Sequence, residues 1–532
     1  MQAVAQASYL LGVEAHPVHV EVMVGQGLPG FDIVGLPERG VRESRVRVQA
    51  ALQSLGVRLP PRRLVINLAP GDVRKTGSVF DLAIAVSMLT ACQLVRSEGL
   101  EKTLLLGELS LDGTLRPVPG ALAHVASAKE RQLTQAIVPE DNGDEVQLIR
   151  NFDIRTASHL REVLDHLGGQ TELLSVHDSK AKTSTDKSTN ASCSEDWRDI
   201  RGQHRAQRAL IIAAVGGHHV LLAGPPGSGK TMLARRLRTI LPLPSEAESI
   251  QIATITSAAR GDFTHSSQLS TRPFRAPHHG ATLASLVGGG DPVHPGEITL
   301  AHRGVLFLDE LPEFNRDAIE ALRTTMEYGQ VCITRANYRV NMPASPQIIA
   351  AMNPCPCGYY GDAQRECSCS PELIARYQQR ISGPLLDRFD MQVYVPRLDI
   401  RQLRRPTKEQ APSSSSVREQ VEKARAYRER EGFVATPSLD ALSQRAEPQA
   451  LSFLDQAAQR LGLSARGYVK VLKVAHTIRH VEHCDCVNQA HVAEALHYRL
   501  LDRHTPRRSP CQAKPTETNP HAHAHTPSSN TR

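Results

Sequence analysis

The sequence has few aromatic residues, no long apolar run and no large excess of one charge. Aromatic side chains make up 4% of the 532 residues, and Trp197 is the single tryptophan. Aliphatic side chains must therefore fill the cores. No stretch reaches the roughly 18 uncharged apolar residues that indicate a transmembrane helix, and the first residues do not combine a charged region, an apolar run and a cleavage site. We expect a cytoplasmic protein that does not enter a membrane.

Charge and cysteine content narrow the class of protein without defining it. The formal net charge of +7 is compatible with a polyanionic partner, although it is modest for a chain of this length. Ten cysteines are present, and without an export signal they argue against a framework of disulfides. Four of them lie between residues 355 and 369, which indicates a metal site instead.

The chain is expected to be a multidomain α/β protein. Its length predicts three or four units of about 150 residues each. Mixed strand and helix patterns come first, then apolar strands that alternate with helices as in a parallel sheet, and then amphipathic helices. The predicted boundaries are 1–174 for an N-terminal domain, 175–196 for a linker, 197–400 for the sheet module, 401–416 for a second linker, 417–503 for a helical domain and 504–532 for a disordered tail.

A glycine-rich segment after an apolar strand has the sequence of a phosphate-binding P-loop. Its residues are Gly224, Pro225, Pro226, Gly227, Ser228, Gly229, Lys230 and Thr231, and a helical run follows. Glycines let backbone N–H groups close around phosphate oxygens, and the helix N-terminus adds partial positive charge. We predict that Lys230 reaches the β- and γ-phosphates of ATP and that Thr231 binds Mg²⁺. A chance match is the alternative, but strand, loop, Lys-Thr pair and helix all agree.

Two further strands end in polar residues that suit nucleotide hydrolysis. An apolar strand that ends at Leu308 is followed by Asp309 and Glu310, which places two carboxylates at the ligand-binding edge of the sheet. Asp309 is predicted to hold Mg²⁺ through water, and Glu310 to activate the attacking water. A third strand ends at Asn353, whose amide can bridge the γ-phosphate and that water. The alternatives are an ordinary acidic strand end and a turn-forming asparagine.

The clustered cysteines form two close pairs. Cys355 and Cys357 are separated from Cys367 and Cys369 by nine residues, and four thiolates can surround one Zn²⁺ tetrahedrally. Because the CxC spacing is less common in zinc sites than CxxC, four reduced cysteines in a loop remain the alternative. A further pair, Cys484 and Cys486, has no second pair near it in the sequence, and we predict no metal there.

A possible nucleic-acid contact lies between the second and third strands of the module. Residues 331–341 are predicted to be two strands around a turn, with Arg335, Asn337, Tyr338 and Arg339 at or near its tip. Cations suit phosphates, and an aromatic ring can stack on bases. Residues 273–295, which contain three consecutive glycines, would be the companion of this hairpin. The alternative is a plain hairpin with solvated charges.

Several motifs together resemble the YifB/ComM family of magnesium-chelatase-like AAA+ ATPases. They are residues 27–38 (GLPGFDIVGLPE), 272–279 (RPFRAPHH), 295–302 (PGEITLAH) and 311–314 (LPEF), and the match runs from residue 1 to about 503. The resemblance implies an N-terminal domain of the ribosomal S5/Lon-protease-like fold, an AAA+ module of the helix-2-insert class and a C-terminal helical lid. It also implies that Asn353 is the first sensor of the nucleotide and that the 331–341 hairpin faces the pore of a ring.

The resemblance also assigns two arginines. Arg388, in residues 384–390 (PLLDRFD), falls where related motors carry an arginine finger, which completes the site of the neighbouring subunit. Arg466 falls at the usual place of a second sensor. A hexameric homo-oligomer is therefore implied. In the alternative, Arg388 is a surface cation paired with Asp387 or Asp390, and Arg466 is solvated.

The Lon-like domain raises the question of proteolysis. Residues 74–81 resemble the Lon segment that holds the nucleophilic serine, but that serine aligns with Val79, and Ser78 lies one place away. The catalytic lysine of Lon aligns with Leu122. Because peptide hydrolysis needs an activated nucleophile and a base, we expect no protease activity.

Three functions remain open at this point. By resemblance to the ComM branch, the chain would be a hexameric helicase that acts on single-stranded or branched DNA and drives branch migration during natural transformation. The second is a chelatase-like ATPase that remodels a partner protein, and the third is a regulatory ATPase whose N-terminal domain recruits a protein client. The Lon-like domain favours the first, because the chelatase motor subunit is not expected to carry one.

Overall fold

The computed structural model describes residues 2–95, 99–178, 195–260, 271–335, 338–362, 364–398, 411–433 and 438–499. They form an N-terminal α/β domain, a parallel-sheet module and a helical C-terminal domain, which confirms the predicted mixed α/β, multidomain class. Within these ranges, no helix has both the length and the apolar character needed to cross a bilayer.

The N-terminal domain is built on a seven-stranded mixed sheet in the order β3-β4-β2-β1-β5-β8-β9. Its strands are β1 (Gln2–Leu11), β2 (Glu14–Gly25), β3 (Gly30–Val34), β4 (Arg63–Ala69), β5 (Thr103–Leu105), β8 (Gln135–Pro139) and β9 (Asp153–Ala157), with β6 (Glu108–Leu109) and β7 (Leu115–Arg116) in a separate hairpin. Its helices are α1 (Arg39–Ser54), α2 (Asp81–Ala91), α3 (Ala121–Glu130), α4 (Gly143–Val146) and α5 (Leu160–Leu167). All but one residue of α2 is buried, so this helix forms the centre of the core.

The second module contains a five-stranded parallel sheet flanked by helices. In chain order its strands are β10 (Val220–Ala223), β11 (Phe274–Arg275), β14 (Val305–Leu308), β17 (Gln347–Met352) and β18 (Met391–Tyr394), and the spatial order is β11-β14-β17-β10-β18. Strands β10, β14 and β17 are buried along their whole length, as continuous apolar runs require when helices cover both faces of a sheet. The strand order places β10, which precedes the P-loop, between β17, which ends before Asn353, and β18.

Short elements and helices complete this module. They are α6 (His204–Gly216), α7 (Lys230–Ile240), α8 (Glu246–Arg260), α9 (Leu283–Val287), β12 (Gly288–Gly289), β13 (His294–Pro295), α10 (Glu297–Leu300), α11 (Arg316–Tyr328), β15 (Gln330–Arg335), β16 (Tyr338–Pro343), α12 (Pro371–Gln378) and α13 (Gly383–Leu386). The two-stranded pairs β12–β13 and β15–β16 are antiparallel hairpins outside the main sheet.

The C-terminal domain consists of helices that pack on the sheet module. They are α14 (Ser414–Arg430), α15 (Leu439–Gln444), α16 (Pro448–Leu461), α17 (Ala465–Glu482) and α18 (Gln489–His497). Buried side chains of α14, α17 and α18 share one apolar cluster with α6, β10 and α7. The helical domain therefore shares an apolar core with the parallel-sheet module.

The domain boundaries differ from the sequence expectation at both linkers. Val176 is buried in the N-terminal core, and its N–H donates to the carbonyl of Ile154, so this domain extends past residue 174. Helix α14 begins at Ser414, inside the serine run that we expected to be a linker to residue 416. Ser413 caps the helix, and the buried Ser414 hydroxyl accepts from the N–H of Trp197 at 2.8 Å. Serine favours helix starts because its side-chain oxygen can accept from a free backbone N–H of the first turn, as that of Ser413 does. Residues 504–532 lie outside the described ranges.

The N-terminal domain contacts two elements of the P-loop module. Val13, in the turn between β1 and β2, is buried in the module's apolar cluster together with Val340 and Met342 of β16. On helix α8, the carbonyl of Ser257 accepts from the N–H of Gly120 at 3.3 Å. The predicted DNA hairpin is therefore packed against the N-terminal domain on its apolar face.

Candidate nucleotide-binding site

The P-loop connects β10 to α7 in a backbone conformation that suits glycine. Gly227 and Gly229 have φ values of +75° and +91°, which other residues adopt at a cost. A Cβ on Gly224 would lie 2.1 Å from the carbonyl oxygen of Val395. The Ser228 hydroxyl is buried and has no hydrogen-bond partner among the described residues. A close backbone turn with an unpartnered polar group beside a helix N-terminus fits a phosphate group.

Lys230 links the P-loop to the strand that ends at Asn353. Its ammonium group donates to the carbonyls of Gly224 at 2.7 Å and Pro225 at 3.1 Å, and to the side-chain oxygen of Asn353 at 3.3 Å. Burial lowers the pKa of Lys230, and the nearby carboxylates of Asp309 and Glu310 oppose that shift. The structure thus brings the predicted phosphate ligand and the predicted sensor into direct contact.

The predicted Mg²⁺ ligands also lie together. The Thr231 hydroxyl donates to Oδ2 of Asp309 at 2.9 Å, so the two oxygens lie where one hard cation can be bound by both, directly or through water. Glu310 follows in a left-handed conformation with φ of +54°, and its side chain is half exposed. At this exposure, a water molecule can reach the Glu310 carboxylate.

The sequence did not identify His279 as a neighbour of Glu310. Its Nδ1 lies 3.3 Å from Oε2 of Glu310, and the rings of His278 and His279 are 4.0 Å apart. The sheet topology explains why the two residues lie close together. Because β11 pairs in parallel with β14, residues that follow β11 lie beside those that follow β14. The short strand β11 was not predicted, so His279 was grouped with the DNA companion segment instead.

Arg388 and Arg466 converge on one carboxylate. Arg388 donates to Oε2 of Glu327 at 2.6 Å and Arg466 to Oε1 at 3.4 Å. The hydrogen bond from Arg388 lowers the pKa of Glu327. The Arg388 side chain is 9% exposed, whereas that of Arg466 is 59% exposed. Among the described residues, Arg388 does not form the alternative pair with Asp387 or Asp390.

These arginines lie at the opposite edge of the sheet from the P-loop. Two residues after Arg388, the N–H of Asp390 donates to the carbonyl of His219 at 3.0 Å, and the N–H of His219 donates to the Asp390 carboxylate at 2.9 Å. His219 directly precedes β10, whereas Gly224 directly follows it. The four residues of β10 separate the two edges by about 13 Å. Arg388 therefore cannot reach phosphates bound by its own P-loop.

The four clustered cysteines lie within reach of one ion. The sulfur of Cys355 is 3.3 Å from that of Cys357 and 3.6 Å from that of Cys367, and all four Sγ atoms lie within 4.8 Å of one another. A tetrahedral zinc with bonds of about 2.3 Å would separate its sulfur ligands by about 3.8 Å. The backbone N–H of Tyr360 donates to the sulfur of Cys355, as befits a thiolate ligand. The donor set therefore fits Zn²⁺.

A second group of potential ligands contains Glu482, Cys484 and His491. A ring nitrogen of His491 lies 3.1 Å from the carboxylate of Glu482, and Arg208 forms an ion pair with the same carboxylate at 2.5 Å. The carboxylate of Glu482 thus has two protein partners, Arg208 and His491. The pair Cys484 and Cys486 still has no partner pair in sequence.

The predicted DNA hairpin is formed by β15 and β16. Its buried face consists of Val331, Ile333, Val340 and Met342, while Arg335 and Arg339 are exposed. Arg335 lies beside Gly289 of the β12–β13 hairpin. A guanidinium nitrogen of Arg335 is 3.7 Å from the position that a Cβ on Gly289 would occupy. Asn337 lies outside the described residues, and only the backbone of Tyr338 is described. The two hairpins are thus neighbours in the structure.

Comparison with known proteins is consistent with this site. The family described as "Magnesium chelatase, subunit ChlI" matches residues 196–403, "Subunit ChlI of Mg-chelatase" matches 20–142, and "Magnesium chelatase, subunit ChlI C-terminal" matches 411–499. A parallel sheet with a P-loop and these matches define a magnesium-chelatase-like ATPase of the AAA+ class.

Full-length relatives narrow the class to one family. The chain is 41% identical to the protein YifB of Escherichia coli over 498 residues. This match covers 93% of this chain and 96% of YifB. The chain is 39% identical over 506 residues to competence protein ComM of Haemophilus influenzae, with 94% and 98% covered. The magnesium-chelatase 38 kDa subunit of Cereibacter sphaeroides is 25% identical over 196 residues, with 34% and 55% covered. The chain belongs to the YifB/ComM family of magnesium-chelatase-like AAA+ proteins.

Proposed function

We propose that this chain is the subunit of a hexameric, ATP-driven DNA helicase that promotes branch migration in homologous recombination during natural transformation. The proposed assembly into a ring rests on the position of Arg388 and Arg466, which lie at the sheet edge opposite to their own P-loop. The similarity over nearly the whole length to a protein named for competence supports the DNA substrate.

The residues around the P-loop have distinct roles in the proposed hydrolysis. Lys230 exchanges its carbonyl partners for the β- and γ-phosphate oxygens of ATP. Thr231 and Asp309 hold Mg²⁺, which neutralises charge on the phosphates when it is bound. Glu310 accepts the proton of the attacking water, with His279 orienting its carboxylate. Asn353 contacts both Lys230 and the γ-phosphate, and so reports the state of the nucleotide to β17.

The neighbouring subunit completes the proposed site. Glu327 holds Arg388 and Arg466 side by side at one edge of the sheet, so that both cations can be presented to the phosphates of an adjacent P-loop. Positive charge at that point stabilises the charge that develops on the transferred phosphoryl group. This arrangement requires a head-to-tail interface in which every subunit donates its arginines in the same direction, and such an interface forms a closed ring when its rotation closes.

The chelatase-like alternative is not favoured. The chelatase subunits match only a part of this chain and only a part of their own length, 27% for the 67 kDa subunit of Heliobacterium mobile. The N-terminal domain is proposed to have the Lon-like fold without its activity. Val79 and Leu122, which align with the Lon nucleophile and lysine, are both buried in its core, and the Ser78 hydroxyl donates to Glu108. Position 122 therefore offers no lysine to activate Ser78 for peptide hydrolysis.

A branch-migration assay on a synthetic Holliday junction tests the DNA function. We expect ATP-dependent separation of the junction and stimulation of ATP hydrolysis by branched or single-stranded DNA. Replacing Arg335 and Arg339 with alanine should abolish most of the stimulation. Each arginine that neutralises a phosphate adds about one to the salt slope of DNA binding, so the slope should fall by about two in the double variant.

Arg430→Ala is the matched control, because it removes an exposed arginine at the end of α14, in another domain. A wild-type salt slope in the Arg335/Arg339 double variant would place the DNA contact elsewhere. If the wild-type protein neither separates the junction nor responds to DNA in its ATP turnover, the helicase proposal is wrong.

The cysteine cluster is proposed to hold one structural Zn²⁺. The Cys355→Ser/Cys357→Ser double variant should fall from about one zinc per chain to none, because two of four ligands are removed, and its unfolding temperature should drop by several degrees. Cys486→Ser, which alters an exposed cysteine outside the cluster, should keep the metal. Elemental analysis of protein purified without chelators decides this, and zinc-free wild-type protein would contradict the proposal.

A further inference from the structure

The loop that contains the four cysteines begins at the nucleotide site. The chain leaves β17 at Met352, and a single residue separates Asn353 from Cys355. Lys230 of the P-loop donates to the side chain of Asn353. Two peptide units lead from Asn353 to Cys355, the first predicted zinc ligand. A displacement of Cys355 therefore acts on Asn353 through only two peptide units.

The same loop also packs directly against the P-loop. Residues 355–358 form a tight turn in which the N–H of Gly358 donates to the carbonyl of Cys355 at 3.0 Å. Gly358 has φ of +86°, and a Cβ at this position would lie 2.6 Å from Cδ of Pro226. The turn that contains two predicted ligands thus contacts the second proline of the P-loop through Gly358, with no space for a side chain.

A third connection comes from Arg397, which follows β18. Its guanidinium donates to the carbonyl of Pro226 at 3.5 Å, lies over the ring of Tyr359 at 5.7 Å and is 3.9 Å from the carboxylate of Asp362. Tyr359 and Asp362 both belong to the cysteine loop. Arg397 therefore fastens the P-loop backbone to this loop, and a change in the shape of the loop would separate Arg397 from its two side-chain partners.

Apolar burial contributes little to the shape of this loop. The described residues between Asn353 and Ser370 form neither helix nor strand. Among them, only Pro354, Cys355 and Gly358 are buried, so the apolar area that could hold the loop without a cross-link is small. Short segments without a core of their own are commonly ordered by a metal ion.

From these contacts we infer that the cysteine loop is a wall of the nucleotide site, and that Zn²⁺ binding and nucleotide binding are thermodynamically coupled. This inference rests on the proposed ATP site and zinc site. Zinc holds the turn at Gly358 and the residues beside Arg397, and these in turn hold Pro226 and Asn353 in the arrangement that accepts phosphates. Coupling is reciprocal, so bound nucleotide must tighten zinc binding by the same factor.

Two binding measurements on the full-length protein test the coupling. Binding of a fluorescent, non-hydrolysable ATP analogue with Mg²⁺ is titrated before and after zinc is removed with a zinc-selective chelator. Zinc affinity is measured by competition with a chromogenic chelator, with and without saturating analogue. We expect removal of zinc to raise the Kd of the analogue about tenfold or more, and the analogue to lower the Kd of zinc by the same factor.

Arg397→Met separates coupling from folding, because it leaves every thiolate in place and removes one of the two contacts between the loop and Pro226, while the contact of Gly358 remains. This variant should bind one zinc yet show a clearly smaller coupling factor, whereas Cys486→Ser should behave as wild type. Circular dichroism verifies that the stripped protein stays folded, and Arg397→Met carries the test if it does not. Equal nucleotide affinity with and without zinc would overturn the inference while leaving the ATP site intact, and wild-type coupling in Arg397→Met would overturn the role of Arg397 in it. Failure of the zinc-loaded protein to bind nucleotide would instead refute the proposed function.

Discussion

Glu310→Gln is expected to bind MgATP as tightly as the unaltered chain and to hydrolyse it about 10²–10⁴-fold more slowly, the usual contribution of a general base. The phosphate cradle around Lys230 does not involve Glu310, so binding should survive. The amide cannot accept a proton from water, so the chemical step should slow while ATP stays bound. A fluorescent-nucleotide titration together with single-turnover hydrolysis measures both effects.

Two controls make this result specific. Glu313→Gln removes a carboxylate three residues further on, one that forms an ion pair with Arg380 on the surface, and it should turn over ATP normally. Lys230→Ala should lose binding itself, because the loop then has no cation for the β- and γ-phosphates. Normal turnover in Glu310→Gln would show that another group, with His279 the nearest candidate, activates the water.

The sequence predicted the half of the site that depends on local patterns. Strand, loop and helix are consecutive around Lys230, and parallel strands place their carboxyl ends at one edge, so the proximity of Lys230, Asp309 and Asn353 followed from the order of the motifs. The same reasoning indicated the four cysteines, because the two pairs are close in the sequence. In each case the distance along the chain was short or the topology was simple.

The rest depends on contacts that a single sequence does not display. His279 reaches Glu310 only because the two-residue strand β11 joins the sheet, and a strand this short has no periodic pattern to detect. Glu327 is an ordinary acidic residue on an amphipathic helix until the structure brings Arg388 and Arg466 to it. The contact of Gly358 with Pro226 likewise joins two segments that are far apart in the chain. No pattern in the sequence of either segment indicates that they meet.

Arg388→Ala is the variant that connects catalysis with assembly. Because Arg388 lies across the sheet from its own P-loop, this variant should bind ATP almost normally and lose turnover by about 10³-fold, as other arginine fingers do. Arg388 is also a buried partner of Glu327, so poorer packing could produce the same deficit. Glu327→Gln distinguishes the two causes: it removes the ion pair and keeps the guanidinium, and it should retain most of the turnover if Arg388 acts on phosphate.

Mixing experiments then determine in which subunit Arg388 acts. Neither Arg388→Ala nor Lys230→Ala alone offers an interface with both an intact P-loop and an intact arginine. In mixed rings, some interfaces combine the P-loop of an Arg388→Ala subunit with the arginine of a Lys230→Ala neighbour, so part of the ATP turnover should return. Native mass spectrometry must show that mixed rings have formed. If those rings stay inactive, Arg388 does not complete the neighbouring site, and the exposed Arg466 on the same carboxylate becomes the cation to replace.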